Sequence, residues 1–192
     1  MDSPESAISV FEMLKLLIQF LTPVTVLGLG WYLNQRLKKI DFNHWSNQKV
    51  IEKRLEIYDE IAPKLNMLLC FYTWIGDWKE ISPDDVMRAK RELDKALNIY
   101  RHLFDDNVYS SYQSYAHLLF EHYVGAGMDA KFLTTIIGPG GDRSGHCSYD
   151  WNKEWNDSFS IKDVPQINDV RESYYDLMNN LKASIGLSKN GS

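Results

Sequence analysis

The 192-residue sequence predicts an all-α protein, an N-terminal transmembrane helix followed by a cytoplasmic helical bundle. Three observations predict it. An apolar run from Ala7 to Leu33 is long enough to cross a bilayer, and basic residues follow it directly. From Asp41 onward, apolar residues recur at helical spacing, with no convincing strand alternation. The predicted domains are residues 1–40, a span with its basic stop; 41–187, a cytoplasmic helical domain; and 188–192, a disordered tail, SKNGS.

At about 1.5 Å per residue the run Ala7 to Leu33 reaches about 40 Å, more than the ~30 Å hydrocarbon core. Its second half, Phe20 to Leu33, has no charge, whereas the first half contains Glu12, Lys15 and Gln19. Arg36, Lys38 and Lys39 follow it, while Asp2 and Glu5 precede it without a lysine or arginine. The positive-inside rule then puts the C-terminal domain in the cytoplasm. Trp31 and Tyr32 sit at the same end as interfacial anchors. A cleaved signal peptide has the opposite charge order and a small-residue cleavage site, which WYLNQRLKK lacks. A buried helix of a soluble protein is the competing reading, since Lys15, Gln19 and Pro23 interrupt the apolar run.

Glu12, Lys15, Gln19 and Thr22 step by three, four and three residues and fall on one helix face. Polar groups facing lipid are expensive, so such a stripe points toward another helix or toward water inside an assembly. It marks these four residues as a pore or helix interface. The alternative is that residues 8–19 lie in the headgroup region as an amphipathic helix.

In the second domain, Ile57, Ile61, Leu65, Leu68, Tyr72 and Ile75 line a first helix, which Pro63 is expected to bend or to break at Ala62. Ser82-Pro83-Asp84-Asp85 is a helix start: a capping serine, proline at the first position, carboxylates at the positive end. Val86, Ala89, Leu93, Leu97, Tyr100 and Phe104 then line the buried side, with Arg88, Arg91, Glu92 and Lys95 opposite. Tyr112, Tyr115, Leu119 and Tyr123 form the next face, ended by Gly125 and Gly127. After a short element, MDAKFLTTII, and a glycine-rich loop, a last helix starts near Asp163 to Pro165 and buries Ile167, Val170, Tyr174, Leu177, Leu181 and Ile185. About four cytoplasmic helices result.

Chemistry is harder to find. A net charge of −5 argues against nucleic acid as the main ligand. Cys70 and Cys147 fit no metal or redox spacing, which suits a reducing compartment. Gly138-Pro139-Gly140-Gly141 lacks the Lys-Ser/Thr of a phosphate-binding loop and reads as a flexible connector. His117 and His122 are five apart and do not share a helix face as a zinc pair does, so no metal and no cofactor is expected. Arg143 and His146 are the one alternative catalytic pair, able in principle to stabilise and protonate groups around a phosphodiester. Helical RNases of the HEPN class use an arginine, four to six intervening residues and a histidine; here only Ser144 and Gly145 intervene, and Arg101 with His102 fits no better. A salt bridge or solvent contact is the plainer reading of Arg143. Trp45, Trp74, Trp78, Trp151 and Trp155 lack interleaved basic residues and read as packing, with Trp151 against Trp155.

The order of features, a span, RLKK, then FNHWSNQKVIEKRLEIYDEIAPKLN and IGDWKEISPDD, resembles small bacterial membrane proteins with a helical cytoplasmic domain. It is also similar to membrane-anchored accessory proteins encoded beside RNA-targeting (type VI) CRISPR nucleases and in other anti-phage loci. That resemblance implies an oligomeric membrane assembly that depolarises or permeabilises the inner membrane once the nuclease is activated, with membrane lipid, further copies of the chain and a defence-system protein as partners. It carries over no catalytic residue. The expected function is therefore non-enzymatic perturbation of the membrane in antiviral defence; the alternatives are a membrane-tethered HEPN-like RNase or nucleotide-binding enzyme, and a plain membrane scaffold.

Overall fold

A computed structural model of the chain describes residues 10–122, 125 and 127–187, with the side chains at 11, 38–44 and 46 left out of the description. Helix predominates among the described residues and strand is confined to four two-residue segments, so the class is all-α. The chain divides into two units, residues 1–49 and 50–192. The expected tail 188–192 and Tyr123 lie outside the described residues.

Helix α1 is assigned over Val10–Thr73. The break expected at Pro63 does not occur. Proline removes one backbone N–H and crowds the carbonyl four residues back. Here Pro63 and Asp59 both lie on the exposed side, so the freed carbonyl is left to water and the ring meets no core side chain. The helix ends instead at Trp74, which takes a left-handed conformation (φ 59°), while Ile75 N–H reaches back to Cys70 O at 3.3 Å. This is the usual left-handed helix stop with tryptophan where glycine is the norm. Ile75, expected in the core, is 40% exposed because it lies beyond that reversal.

Helix α2 spans Pro83–Ile99 and starts as its sequence predicts. Ser82 Oγ accepts from Asp85 N–H at 3.2 Å and the Asp85 carboxylate accepts from Ser82 N–H at 3.1 Å, closing a capping box. A single 3-10 turn at Arg101–Leu103 leads to α3, Asp106–Leu119. Helix α3 stops before Gly125 and Gly127, contrary to expectation. Phe120 and Glu121 are already extended, pairing antiparallel with Phe132 and Lys131. The reason is aromatic: Phe120, Phe132, Tyr72 and Phe71 pack edge to face or tilted, with centroids 5.5–5.9 Å apart, which a continued helix would not permit.

The strand pairs are short and absent from the sequence-based expectation. Strands β1 (Phe120–Glu121) and β2 (Lys131–Phe132) form one, β3 (Ile137–Gly138) and β4 (Gly141–Asp142) the other. One turn of helix, α4 (Arg143–His146), follows, then a 3-10 segment Lys153–Ser158 and α5, Ile167–Ser184, which starts a little later than expected. The second unit closes around Ile61, Leu65, Phe71, Val86, Leu93, Tyr115, Leu119, Leu177 and Leu181, all buried. Helices α3 and α5 pack on each other, and Trp151 meets Trp155 edge to face at 5.4 Å.

Candidate functional sites

The first candidate is the N-terminal part of α1. Glu12–Leu37 is 26 residues long with mean hydropathy 1.6, and its side chains are exposed among the described residues. Leu16, Leu17, Phe20, Leu21, Leu27 and Leu29 are each more than half exposed. A helix of this length and composition is sufficient to cross a membrane. Glu12, Lys15, Gln19 and Thr22 share this helix and are all exposed. Thr22 Oγ donates to Ile18 O at 2.7 Å, and Thr25 Oγ to Leu21 O and Thr22 O at 2.9 and 2.8 Å, so both hydroxyls are satisfied within the helix. A groove of about 340 Å³ lies between Leu14, Lys15, Ile18 and Gln19. Trp31 and Tyr32 are exposed, and the Arg36 guanidinium sits 5.6 Å from the Tyr32 ring centre. The side chains of Lys38 and Lys39 lie outside the described residues.

The second candidate surrounds Arg143, and the sequence reading of a loop salt bridge or solvent contact is corrected here. Arg143 is fully buried. Its guanidinium lies 3.9 Å from the ring centres of both Phe71 and Trp74 and 5.6 Å from that of Trp78, and Nη2 donates to Phe71 O at 2.7 Å. That carbonyl belongs to the last turn of α1, where Ile75 N–H is turned to Cys70 instead, so a cation from 72 residues away caps the negative end of the helix. Nε and Nη1 have no partner among the described residues. Burial lowers the guanidinium's pKa to about 10, which keeps it charged at neutral pH. His146, by contrast, is exposed, its Nδ1 2.8 Å from Asp142 O. The two residues proposed as a catalytic pair thus occupy different environments, one enclosed by aromatic rings and one at the surface.

The glycine-rich loop forms the β3–β4 hairpin against this cage. A Cβ on Gly138 would stand 2.6 Å from Trp74 Cζ2, and one on Gly140 2.6 Å from Trp74 Cε3 and 2.9 Å from Trp78 Cζ2. These glycines let backbone lie flat on indole rings, a packing need that explains their presence without a phosphate. Gly141, at φ 101°, turns the hairpin.

A third cluster escaped the sequence reading. His117 near the end of α3 and His122 beyond it touch, ring centres 4.6 Å apart, because the chain folds back after Leu119. Nearby on α2, Lys90 pairs with Asp94 at 2.7 Å, and Tyr112 Oη donates to Asp94 at 2.6 Å. Burial, then the charges of Lys90 and His117, lowers the His122 pKa below 6.5. Helical spacing could not reveal the pair, because only one member is helical. No group of three or more potential metal-binding His, Cys, Asp or Glu residues occurs among the described residues. An open cleft of about 660 Å³ borders Asn98, Arg101, His102, Asp105 and Asp106; its Arg101 guanidinium covers Tyr109 at 4.2 Å.

The chain matches no family model, no curated protein and no solved structure.

Proposed function

We propose that the chain is a single-span membrane protein whose helical domain faces the cytoplasm, and that copies associate through the span to perturb the permeability of the inner membrane. The observation that carries this reading is the wholly unburied apolar helix Glu12–Leu37. Free energies favour lipid. Moving the six large apolar side chains named above out of water is worth on the order of 10 kcal/mol at about 1.5–3 kcal/mol each. Against this, Glu12 and Lys15 cost about 2.5–3.5 kcal/mol each even at the centre of a bilayer, and less near its edge. Insertion wins, and the residual cost of the charges is reduced if they face another helix. Arg36, Lys38 and Lys39 after the span, with no basic residue before Glu12, support the cytoplasmic side for the domain. The resemblance to anti-phage accessory proteins supports a defence setting with a protein trigger.

Alkaline carbonate extraction of cell membranes and dye release from phosphatidylethanolamine–phosphatidylglycerol vesicles test the two halves separately. The chain should resist extraction and release dye; replacing Glu12, Lys15 and Gln19 together by leucine should keep it in the membrane and stop the release. Extraction by carbonate refutes the anchor. Retention with no dye release leaves an anchored scaffold and ends the permeability reading.

A further inference from the structure

We infer that the span recognises a second copy of itself in parallel, with Glu12 of one copy paired to Lys15 of the next and the Gln19 side-chain amide of one donating to the Gln19 main-chain carbonyl of the next. The inference rests on the membrane reading above and specifies its interface.

It starts from Pro23. Proline has no N–H, so the Gln19 carbonyl lacks the donor that a helix ordinarily supplies four residues on. Neighbouring hydroxyls do not replace it: Thr22 donates to Ile18 O, and Thr25 to Leu21 O and Thr22 O. Water is absent from the hydrocarbon, where each backbone polar group must find a protein partner. Gln19 and Pro23 are four apart and share a face, so the Gln19 side-chain amide and the carbonyl that Pro23 leaves unpaired lie along one stripe. One face therefore offers both a donor and the acceptor that needs it, and a neighbouring copy meets both requirements at once.

The charges repeat this pattern. Glu12 and Lys15 have opposite signs and lie on the same face as Gln19, separated by about 4.5 Å of helix rise. A parallel neighbour in register leaves each carboxylate about 4.5 Å along the axis from the other copy's ammonium, a step that these two long side chains can close. Parallel alignment follows because every copy inserts with its basic flank on the same side. Below Gln19 the face continues through Thr22, Val26 and Gly30, small or slender residues at intervals of four. A Cβ on Gly30 would meet nothing within 4 Å, so a neighbouring backbone can approach closely there. Above, the groove between Leu14, Lys15, Ile18 and Gln19 frames a hole of the kind that receives a side chain from a facing helix. An unrelated partner would have to reproduce both charge order and amide position; a second copy has them by identity.

Charge exchange between two populations tests this. Full-length chains labelled with donor and acceptor fluorophores are placed in phosphatidylethanolamine–phosphatidylglycerol vesicles, and energy transfer is measured for wild type, Glu12→Lys, Lys15→Glu and an equal mixture of the two variants. Each variant alone should lose transfer, because it sets like charges against each other. The mixture should recover it, because both contacts are again complementary between unlike copies. A Glu12–Lys15 pair within one helix predicts no recovery, and a mixture no better than either variant alone overturns the inference. Gln19→Leu should weaken association about three- to thirty-fold. In a Pro23→Ala background, which restores the missing N–H, the same substitution should matter less; an equal loss in both backgrounds overturns the amide–carbonyl contact. Carbonate extraction of every variant separates the two levels. Wild type that is extracted overturns the membrane reading and this interface together, whereas wild type retained without energy transfer overturns the interface and leaves the anchor standing.

Discussion

Replacing Arg143 by methionine and by alanine should give two very different proteins, although both changes remove the same charge. In the folded chain the guanidinium gains a hydrogen bond to Phe71 O, worth about 1.5–3 kcal/mol for a charged donor, and two desolvated contacts with the faces of Phe71 and Trp74, about 2 kcal/mol each. Against these stand two nitrogens without partners among the described residues, Nε and Nη1, at about 1–3 kcal/mol each, and the burial of a cation. The two sides cancel to within a few kcal/mol. Methionine keeps most of the unbranched volume between the rings and removes the buried charge with its unpaired donors, leaving the Phe71 carbonyl without its partner at about 1–3 kcal/mol, so Arg143→Met should stay within about 3 kcal/mol of wild type. Arg143→Ala opens a cavity between Phe71 and Trp74 and should lose about 2–5 kcal/mol. Denaturant unfolding followed by tryptophan fluorescence reads the site directly, since Trp74 and Trp78 border it. An alanine variant that unfolds at the wild-type midpoint would refute the structural role. Methionine as damaging as alanine would show that the charge, and not the shape, holds the site.

Two further outcomes follow from the neighbouring geometry. Gly140→Ala should cost about 1–3 kcal/mol by overpacking against Trp74 and Trp78, with no backbone contribution because its φ is not positive; pairing it with Trp74→Leu should cost less than the sum of the two, measured as a double-mutant cycle. The His122 imidazole, whose pKa is lowered in the fold, binds fewer protons there than in the unfolded chain. Its contribution to stability is therefore complete above pH 6.5 and is lost as pH falls from 6.5 through the lowered folded value. Urea midpoints between pH 8 and 5 should fall on the acid side for wild type and change less for His122→Gln.

Much of the helical framework was legible because the buried faces of α2, α3, α5 and the second part of α1 each follow one period. Val86, Leu93, Tyr115 and Leu177 are buried where their spacing puts them, and Ser82 caps α2 through a local signal contained in four residues. What escaped depends on contacts between distant residues. Pro63 stops a helix when its freed carbonyl must be buried, and only the fold shows that Asp59 faces water. Arg143 looked like a surface residue because its partners, Phe71 and Trp74, lie some seventy positions away. The glycines of the hairpin resembled a flexible loop for the same reason: their need for a flat approach exists only once two indoles are in place. At the candidate interface the helix positions were readable from spacing, whereas the threonine hydroxyls that leave the Gln19 carbonyl alone required coordinates.

Arg54 lies near the start of the second unit, and its guanidinium donates to Leu103 O and to Ser184 O, at the end of α5, 130 residues further on. The beginning and end of that unit are thus fastened by one side chain. Synthesis runs from the amino end, so this contact waits until Ser184, 130 residues behind Arg54, has been made. The apolar segment Glu12–Leu37 is made before any residue of the second unit. Chain order therefore separates two events: the apolar helix is complete while the residues behind it have no closed structure, and the clasp shuts only once both of its ends exist.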